Sequence, residues 1–388
     1  MDLLPGAYIE TLRHGALGAA GVQAWARTML DEGHTPNLQA AIYRDGKLAI
    51  SIAAGRTPDG ALADRRSLYC ILSCTKLYTT LCMLALHDRG YFDFDEPVAN
   101  HWPEFGTLGK ERITFRHVLS HRAGIRLGPA GTTWPAWGDR EAVGRLMTRL
   151  ELEWEPGTKV AYHNRTFGFV LDYVVWCWLG KGIDGVLGDD VLRPLGISDF
   201  YMGLPRSEYD TRLVKTVAIR DQQGQAMRRD PANDMQGQDP EFRPRIGGEP
   251  NMFNSFELLS LPLAWGTACA NAEAAAAIAN FYAFEGLYDT VRLFSKETWA
   301  RAIEEQPPVP SADGGPPANF ALGPRLGWFP NLEKAGRNLG HGGGQTAVVW
   351  VDLDKRISAA CFLGGVAPRD MDRQRFEFAS AVYDDLGY

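Results

Sequence analysis

Hydrophobic and polar positions follow one pattern at the two ends of the chain and another in its middle. The run LQAAIYRDGKLAISIAAG places two apolar, β-prone segments around Asp45-Gly46, and glycine supplies the positive φ of a tight hairpin turn. Near the C-terminus, TAVVWVDLDKRISAACFLGG predicts two strands around Asp352 to Lys355, and RQRFEFASAVYDDLG predicts a closing helix. An amphipathic helix is expected from Ile9 to Glu32.

The middle of the chain is different. From Ser73 to about Leu287 the apolar spacing is mostly helical and is interrupted by loops rich in glycine and proline. The pattern predicts an α/β (α+β) fold, in which an antiparallel sheet from both termini is flanked by helices and a mostly helical domain is inserted. We expect a discontinuous sheet domain, residues 1–72 plus 288–388, and a helical domain, 73–287, with the functional site between them.

Composition narrows the classes of partner. The 388 residues carry a net charge of -7, which argues against nucleic acid or an anionic membrane as a partner. The start, MDLLPGAYIETLRHG, has no secretory signal pattern, and no apolar run approaches the roughly 20 residues of a membrane helix. Six scattered cysteines without a C-x-x-C pair indicate free thiols in a reducing compartment. We therefore expect a cytoplasmic protein.

One hydroxyl and one amine lie three positions apart in an otherwise apolar run, LYCILSCTKLYTTLCMLAL. Residues three apart share a helix face, so Lys76 can bring its amine near the Ser73 hydroxyl. A lysine removed from water loses its preference for the charged form, and a neutral amine can accept the proton of serine and turn it into a strong nucleophile. An isolated Ser-x-x-Lys often occurs by chance, with the lysine extending into solvent. A catalytic role for the pair therefore needs further motifs in the sequence.

Two further single-copy elements give that support. Tyr162-His163-Asn164 follows the turn-forming WEPGTK and precedes a helical run; its phenol can relay protons and its amide can orient a lysine or a carbonyl. His341-Gly342-Gly343 precedes the C-terminal strand pair, where glycines let backbone N–H groups approach a developing oxyanion. Ser-x-x-Lys, Tyr-x-Asn and His-x-Gly in this order are far more specific than any one of them.

In these motifs the chain resembles the serine β-lactamase and penicillin-binding-protein superfamily, in its class C-like branch. That branch includes family VIII carboxylesterases, D-stereospecific peptidases and amidases, and some acyltransferases. The segments FRHVLSHRAGI, EPGTKVAYHNRTFGFVLDYVV, LPLAWGTACANAEAAAAIANFY and LGHGGGQTAVVWVDLD extend the resemblance over most of the chain. The resemblance implies a β-lactamase/transpeptidase-like fold.

The resemblance also implies roles for single residues. Ser73 is expected to be the acylated nucleophile, Lys76 its base and Tyr162 a second acid–base group. Asn164 is expected to be an orienting amide. His341 and Gly343 are expected to support the oxyanion site, whose donors are the backbone N–H groups of Ser73 and Gly344.

One position departs from the class C pattern. Class C β-lactamases and most penicillin-binding proteins have Lys-Thr-Gly or a close relative where this chain has His341-Gly342-Gly343. Without that lysine we expect weaker recognition of β-lactams and a neutral Tyr162, with His341 as a proton-dependent substitute for the missing charge.

Other candidate residues have ordinary structural explanations as well as functional ones. His117 and His121 are four apart, but no third metal ligand accompanies them and the family pattern makes His121 structural, so no metal and no cofactor are expected. Trp134, Trp137 and Trp328 lie in irregular segments and either anchor loops or line an apolar substrate pocket.

These observations predict a serine hydrolase that cleaves an ester or amide of a small molecule through an acyl-enzyme, most similar to carboxylesterases. One alternative is an acyltransferase, or an amide- or ester-forming tailoring enzyme of secondary metabolism, that uses the same acyl-enzyme. A β-lactamase, a D-stereospecific peptidase and a catalytically silent binding protein are the weaker alternatives. The expected partner is a small ester or amide, with neither nucleic acid nor membrane involved.

Overall fold

The structure, a computed structural model, describes residues 9–13, 18–128, 134–217, 252–344, 346–365 and 371–388. For 9–13, 134–135 and 371–374 it describes the backbone alone.

The described strands are long at the two ends of the chain and short between them. They are β1 Ile9–Arg13, β2 Asn37–Arg44, β3 Lys47–Gly55, β4 Tyr69–Cys70, β5 Phe200–Tyr201, β6 Cys269–Ala270, β7 Leu287–Tyr288, β8 Val291–Arg292, β9 Arg325–Leu326, β10 Asn338–Gly343, β11 Ala347–Asp352 and β12 Ile357–Leu363.

Helices fill the middle of the chain and flank the sheet. They are α1 Ala20–Asp31, α2 Thr75–Asp88, α3 Phe115–Leu119, α4 Arg140–Thr148, α5 Thr166–Leu179, α6 Ile183–Leu187, α7 Arg206–Arg212, α8 Phe256–Leu259, α9 Ala272–Ala283, α10 Lys296–Ala302 and α11 Met371–Asp385. Short 3-10 turns include Leu72–Cys74, which leads directly into α2.

The main sheet joins the two ends of the chain. Its order is β1-β3-β2-β12-β11-β10-β9, and all of these pairs are antiparallel. The β2–β3 hairpin turns at Asp45 and Gly46, both with positive φ, as the Asp-Gly pattern predicts. The predicted C-terminal strand pair and closing helix are confirmed as β11, β12 and α11.

Each face of the sheet has its own apolar core, because successive side chains of a strand point to opposite faces. On β11, Val348 and Trp350 join the outer core beneath α1 and α11. Val349 and Val351 join the inner core, which continues into the helices of the middle segment. The inner core is therefore the one that surrounds α2.

The expected helix from Ile9 to Glu32 is wrong in its N-terminal part. Residues Ile9 to Arg13 form β1 and pair with β3 at the edge of the sheet, and the helix begins only at Ala20. A short segment beside an open strand edge gains ladder hydrogen bonds that its own sequence pattern does not reveal.

The division of the chain into two domains remains a prediction, and α9 complicates it. This helix lies within the segment 73–287 that we expected to form the helical domain, yet it packs on β12, β2 and β11 of the sheet. The helix is rich in alanine, with the sequence AEAAAAIANFYA, and its small side chains allow that close approach. Within the described part of the chain, no helix is long and apolar enough to cross a bilayer.

Candidate active site

Ser73 lies in the 3-10 turn at the start of α2 and is partly exposed. The residue before it, Leu72, has φ 48°, a left-handed conformation that is costly for a non-glycine residue and is typical of functional turns. The turn is fixed from within by Thr75, whose hydroxyl donates to the Leu72 carbonyl at 2.6 Å. Ser73 is thereby presented at the N-terminal end of a helix, where the helix dipole favours negative charge.

Lys76 is completely buried one turn further along. Its Nζ lies 3.5 Å from the Ser73 Oγ, a long contact, and donates to the Trp265 carbonyl at 2.7 Å. Burial lowers the pKa of Lys76 well below the usual lysine value, because the charged form loses its hydration. The sequence therefore places an amine with a reduced affinity for protons beside the candidate nucleophile.

The carbonyl that holds Lys76 is itself fixed by a glycine on α5. A Cβ at Gly168 would lie 2.6 Å from the Trp265 nitrogen, so only glycine lets this helix approach so closely. A second residue of α2, Thr79, donates to the Ala264 carbonyl at 2.6 Å. The sequence does not predict this role of Trp265 beyond the Gly-rich segment AWGTACAN, because the hydrogen bond with Lys76 uses the backbone carbonyl and not the side chain.

Tyr162 meets the same amine just before α5 begins. The Lys76 Nζ lies 5.0 Å from the centre of the Tyr162 ring, close enough for a cation–π contact whenever the lysine is charged. The Tyr162 hydroxyl is buried and has no hydrogen bond of standard geometry to a described residue. Burial raises its pKa, and the nearby Ser73 hydroxyl lowers it by less. Such loosely aligned contacts are common in catalytic sites without substrate.

Asn164 lies two residues after Tyr162 and is partly exposed. None of the hydrogen bonds among the described residues uses its side chain, so its expected role as an orienting amide remains a prediction. The adjacent Arg165 is buried and lies 5.0 Å from the Trp137 ring centre. This part of the turn is therefore held by aromatic packing rather than by Asn164.

The third motif reaches the nucleophile through β10. A Cβ at Gly343 would collide with the Ile71 carbonyl, so this strand can lie against the turn of Ser73 only because position 343 is glycine. The Cys74 thiol donates to the His341 carbonyl at 3.1 Å and joins the two elements. Burial raises the pKa of Cys74 to about 12, which makes it a structural thiol rather than a reactive one.

Gly344 follows directly, with φ 51°. Its N–H donates to no other described residue, which leaves the group available to a ligand. Its carbonyl accepts from Arg375 on α11 at 3.3 Å, and the same guanidinium lies against Gly342, where a Cβ would be 3.0 Å away. Arg375 is a residue of the site that the sequence did not reveal, because α11 approaches from the opposite face of the sheet.

His341 points from β10 toward Tyr162, and the two ring centres are 5.8 Å apart. Burial lowers the pKa of His341 to about 3, and the positive charge of Lys76 contributes further. The ring is therefore neutral at physiological pH. The expectation that a protonated His341 replaces the missing lysine charge is wrong, because burial disfavours the charged ring and no described carboxylate is paired with it.

His121 lies on the other side of Tyr162, with ring centres 4.8 Å apart. It is completely buried, and burial lowers its pKa well below the usual value. Its Nδ1 accepts from the backbone N–H of His163 at 3.0 Å. Within the described ranges no group of His, Cys, Asp and Glu side chains is suited to a metal ion.

Two of the three candidate tryptophans, Trp137 and Trp328, have described side chains, and these lie in different parts of the molecule. Trp137 is buried against Trp265, with ring centres 5.5 Å apart, and so supports the loop that holds Lys76. Trp328 packs beside Gly340 with the outer core of the sheet, on the face opposite His341, and does not reach Ser73. The side chain of Trp134 lies outside the described residues.

Comparisons with known proteins agree with this fold. The Beta-lactamase family model matches residues 22–382. Two solved structures share the fold over nearly the whole chain. A penicillin-binding protein homologue from Caulobacter crescentus has a TM-score of 0.81 at 22% identity, covering 97% of this chain and 100% of its own. A family VIII carboxylesterase has a TM-score of 0.82 at 20% identity, with the same coverage.

A curated relative is similar over a shorter stretch. The esterase/beta-lactamase LipL of Mycobacterium tuberculosis (strain ATCC 25618 / H37Rv) is 29% identical over 190 residues, which cover 47% of this chain and 42% of LipL. The alignment thus spans less than half of the relative's length. The family match extends from the outer helix α1 to α11 and includes all three motifs of the site, so this chain belongs to the Beta-lactamase family.

Proposed function

We propose that the protein is a serine hydrolase that cleaves an ester or amide of a small molecule through an acyl-enzyme on Ser73. The observation that carries the proposal is Lys76. Its amine is completely buried, lies 3.5 Å from the Ser73 Oγ and is held by the Trp265 carbonyl. A buried lysine with no carboxylate partner among the described residues is costly, and its position beside the Ser73 hydroxyl gives it a chemical use.

Acylation follows from these contacts. The Ser73 Oγ attacks the substrate carbonyl carbon while its proton passes to the Lys76 Nζ. The carbonyl oxygen becomes an oxyanion, for which the backbone N–H groups of Ser73 and Gly344 are the candidate donors. The bond to the leaving group then breaks as Tyr162 donates its proton to the leaving atom, and the Lys76 ammonium returns a proton to Tyr162.

Deacylation reverses the roles with water in place of the leaving group. Water attacks the acyl carbon, gives its proton to the Tyr162–Lys76 pair and releases the acid, and Ser73 recovers its hydrogen. Position 341 does not supply the positive charge of the lysine in Lys-Thr-Gly, since burial lowers the pKa of His341 to about 3. We therefore propose uncharged esters or amides as substrates in preference to β-lactams with their carboxylate.

Replacing the nucleophile tests the proposal. Ser73→Ala should reduce the hydrolysis of short-chain p-nitrophenyl esters to background, because it removes the hydroxyl that lies beside the Lys76 amine, and should leave the melting temperature close to that of the wild type. Intact-mass spectrometry after exposure to esters, amides and lactams should show an acyl adduct on the wild type that Ser73→Ala lacks. Equal turnover by the two proteins would show that Ser73 is not the nucleophile.

Acyl transfer is the second candidate, and the burial of the site favours it. Solvent reaches neither the Lys76 side chain nor the Tyr162 hydroxyl, and a site that excludes water can protect an acyl-enzyme for an amine or alcohol acceptor. Product partition between acid and transfer product, measured with added acceptors, separates the two activities. A silent binding protein would show no adduct with any reagent.

A further inference from the structure

The hydrogen bond of His341 fixes which of its nitrogens carries hydrogen. Its Nδ1 lies 2.8 Å from the Gly342 carbonyl oxygen. A carbonyl can only accept, so Nδ1 is the N–H donor, and in a neutral ring Nε2 is left with a lone pair. That Nε2 is buried, and no described residue donates to it.

His121 has the opposite arrangement. Its Nδ1 accepts from the His163 backbone N–H, so the hydrogen of the neutral ring is on Nε2. This N–H is also buried, and no acceptor for it is found among the described residues. One histidine therefore offers an acceptor and the other a donor, and both assignments follow from backbone contacts.

Tyr162 is a neighbour of both rings, 4.8 Å from His121 and 5.8 Å from His341 measured between ring centres. Its hydroxyl is also buried without a standard hydrogen bond to a described residue. Each such group costs about 1–3 kcal/mol if it stays unpaired. A hydroxyl or a water has both the donor and the acceptor that these two ring nitrogens need.

We propose that His341 is a positioning residue that keeps the Tyr162 hydroxyl protonated, directly or through one water, so that Tyr162 serves as an acid for strongly basic leaving groups. The substrate class that follows is alkyl esters and amides, in preference to activated aryl esters. This inference rests on the proposed function and specifies the substrates of the same site.

The lone pair of His341 determines the direction of this residue's own contribution. An acceptor stabilises a phenol O–H and repels a phenolate, whereas a lysine at this position would do the opposite. Lys76, Arg375 and Arg325 are the charged groups that act on His341, and each lowers its pKa. The surroundings therefore keep His341 an acceptor across the physiological pH range.

The proton balance in the step is simple. When the carbon–oxygen or carbon–nitrogen bond of the tetrahedral intermediate breaks, its electron pair stays on the leaving atom. Tyr162 donates a proton to that atom and takes one from the Lys76 ammonium, while His341 keeps its own proton throughout. A p-nitrophenolate leaves without a proton, so it has no need of this step.

Variants of position 341 test the proposal. The Gln side chain can place its carbonyl oxygen near the position of Nε2, whereas Asn is too short. The substrates are the ethyl and p-nitrophenyl esters of one acid, chosen from the acyl groups that attach to Ser73. In His341→Asn, kcat/KM should fall about 100-fold on the ethyl ester and less than about tenfold on the p-nitrophenyl ester. His341→Gln should stay within about tenfold of the wild type on both, and His34→Gln, at a partly exposed residue outside the site, should be unchanged.

Three other results are informative. Equal losses on the two esters would overturn the proposal, because a purely structural role does not depend on the leaving group. A wild type that turns over only the p-nitrophenyl ester would also overturn it. A circular dichroism melt shows whether each variant is folded, and labelling of Ser73 by a fluorophosphonate shows whether its nucleophile is intact. A folded wild type that takes up neither the label nor an acyl group would instead refute the proposed hydrolase function.

Discussion

Lys76 shows how a single residue can be unfavourable for folding and still have a proposed chemical use. The side chain is completely buried, and among the described residues its amine has hydrogen-bond contacts only with the Trp265 carbonyl and, at 3.5 Å, with the Ser73 hydroxyl. Because burial lowers its pKa well below 10.5, the native state binds a proton less readily than the unfolded chain. The free energy of unfolding therefore decreases as the pH falls from 10.5 to the pKa that Lys76 has in the folded protein.

Lys76→Met separates these two effects. Methionine keeps the apolar stem and removes the amine, so kcat/KM for ester hydrolysis should fall by at least about 10³-fold. The stability of the variant relative to the wild type should increase as the pH is lowered from 10, because the variant has no buried amine to protonate. Urea denaturation at several pH values and ester kinetics measure the two quantities.

The exposed Lys159 is the matched control, because its amine is already in water. Lys159→Met should change neither the activity nor the pH dependence of stability. A Lys76→Met protein that keeps a tenth or more of the wild-type activity would show that another group accepts the Ser73 proton.

At the scale of single residues, the sequence predicts site residues well where they belong to motifs that follow one another in a fixed order along the chain. Ser73, Lys76, Tyr162 and His341 were each chosen from a single-copy motif, and the structure brings all four together. Trp328 was chosen from its place in an irregular segment, and the face of the sheet on which such a residue lies depends on strand geometry that spacing alone does not give.

At the scale of elements, α5 connects two parts of the site. Tyr162 lies just before its first turn, and Gly168 within it touches the backbone of Ala264 and Trp265. The same helix therefore places the phenol and, through the Trp265 carbonyl, the amine of Lys76. A displacement of α5 by a few tenths of an ångström would move both partners of Ser73.

Gly168→Ala tests this connection. Its Cβ would lie 2.6 Å from the Trp265 nitrogen and 2.7 Å from the Ala264 carbonyl carbon, and backbone cannot yield cheaply. We expect a loss of about 1–3 kcal/mol in stability and a fall in kcat of about 100-fold, as small misplacements of catalytic groups produce. Thermal melts and ester kinetics provide the readouts.

Gly185→Ala on the neighbouring helix α6 is the control. There the added Cβ would meet only the flexible side chain of Lys181, at 2.9 Å or more. Its activity should match that of the wild type. If the two alanine variants behaved alike, the contact between α5 and the Trp265 loop would not position the site.

The elements themselves were predicted with uneven success for a physical reason. The Asp45-Gly46 hairpin and the strand pair around Asp352 follow local rules, and both are confirmed. The strand β1, the attachment of α9 to the sheet and the role of the Trp265 carbonyl depend on which backbone meets which, and a sequence carries no direct record of such contacts.

At the scale of the whole molecule, buried histidines set the response to acid. Burial lowers the pKa of His341 to about 3 and that of His163 to about 4, and it holds that of His121 well below the usual 6.5. All three must stay neutral in the native state, whereas the unfolded chain protonates them near pH 6.5. Their stabilising contribution is complete above pH 6.5 and is lost as the pH falls toward the folded values.

We therefore expect the free energy of unfolding to decrease steeply between pH 6.5 and 4. Each histidine that remains neutral contributes about 1.4 kcal/mol per pH unit in this window. His341→Gln should reduce the slope by about one such contribution, whereas His34→Gln, at a residue with a partly exposed ring, should not. Urea denaturation at half-unit pH intervals gives the slopes, and identical slopes for the three proteins would contradict the assignment.

The central sheet has a consequence for synthesis on the ribosome. Strand β2 pairs with β12, roughly 300 residues later in the chain, so one edge of the N-terminal hairpin has no partner while the intervening helices are translated. At about 5–20 residues per second that interval is on the order of tens of seconds, during which an apolar strand edge is open to other nascent chains. Lower growth temperatures and co-expressed chaperones should therefore raise the yield of native protein more than changes to its surface charge do.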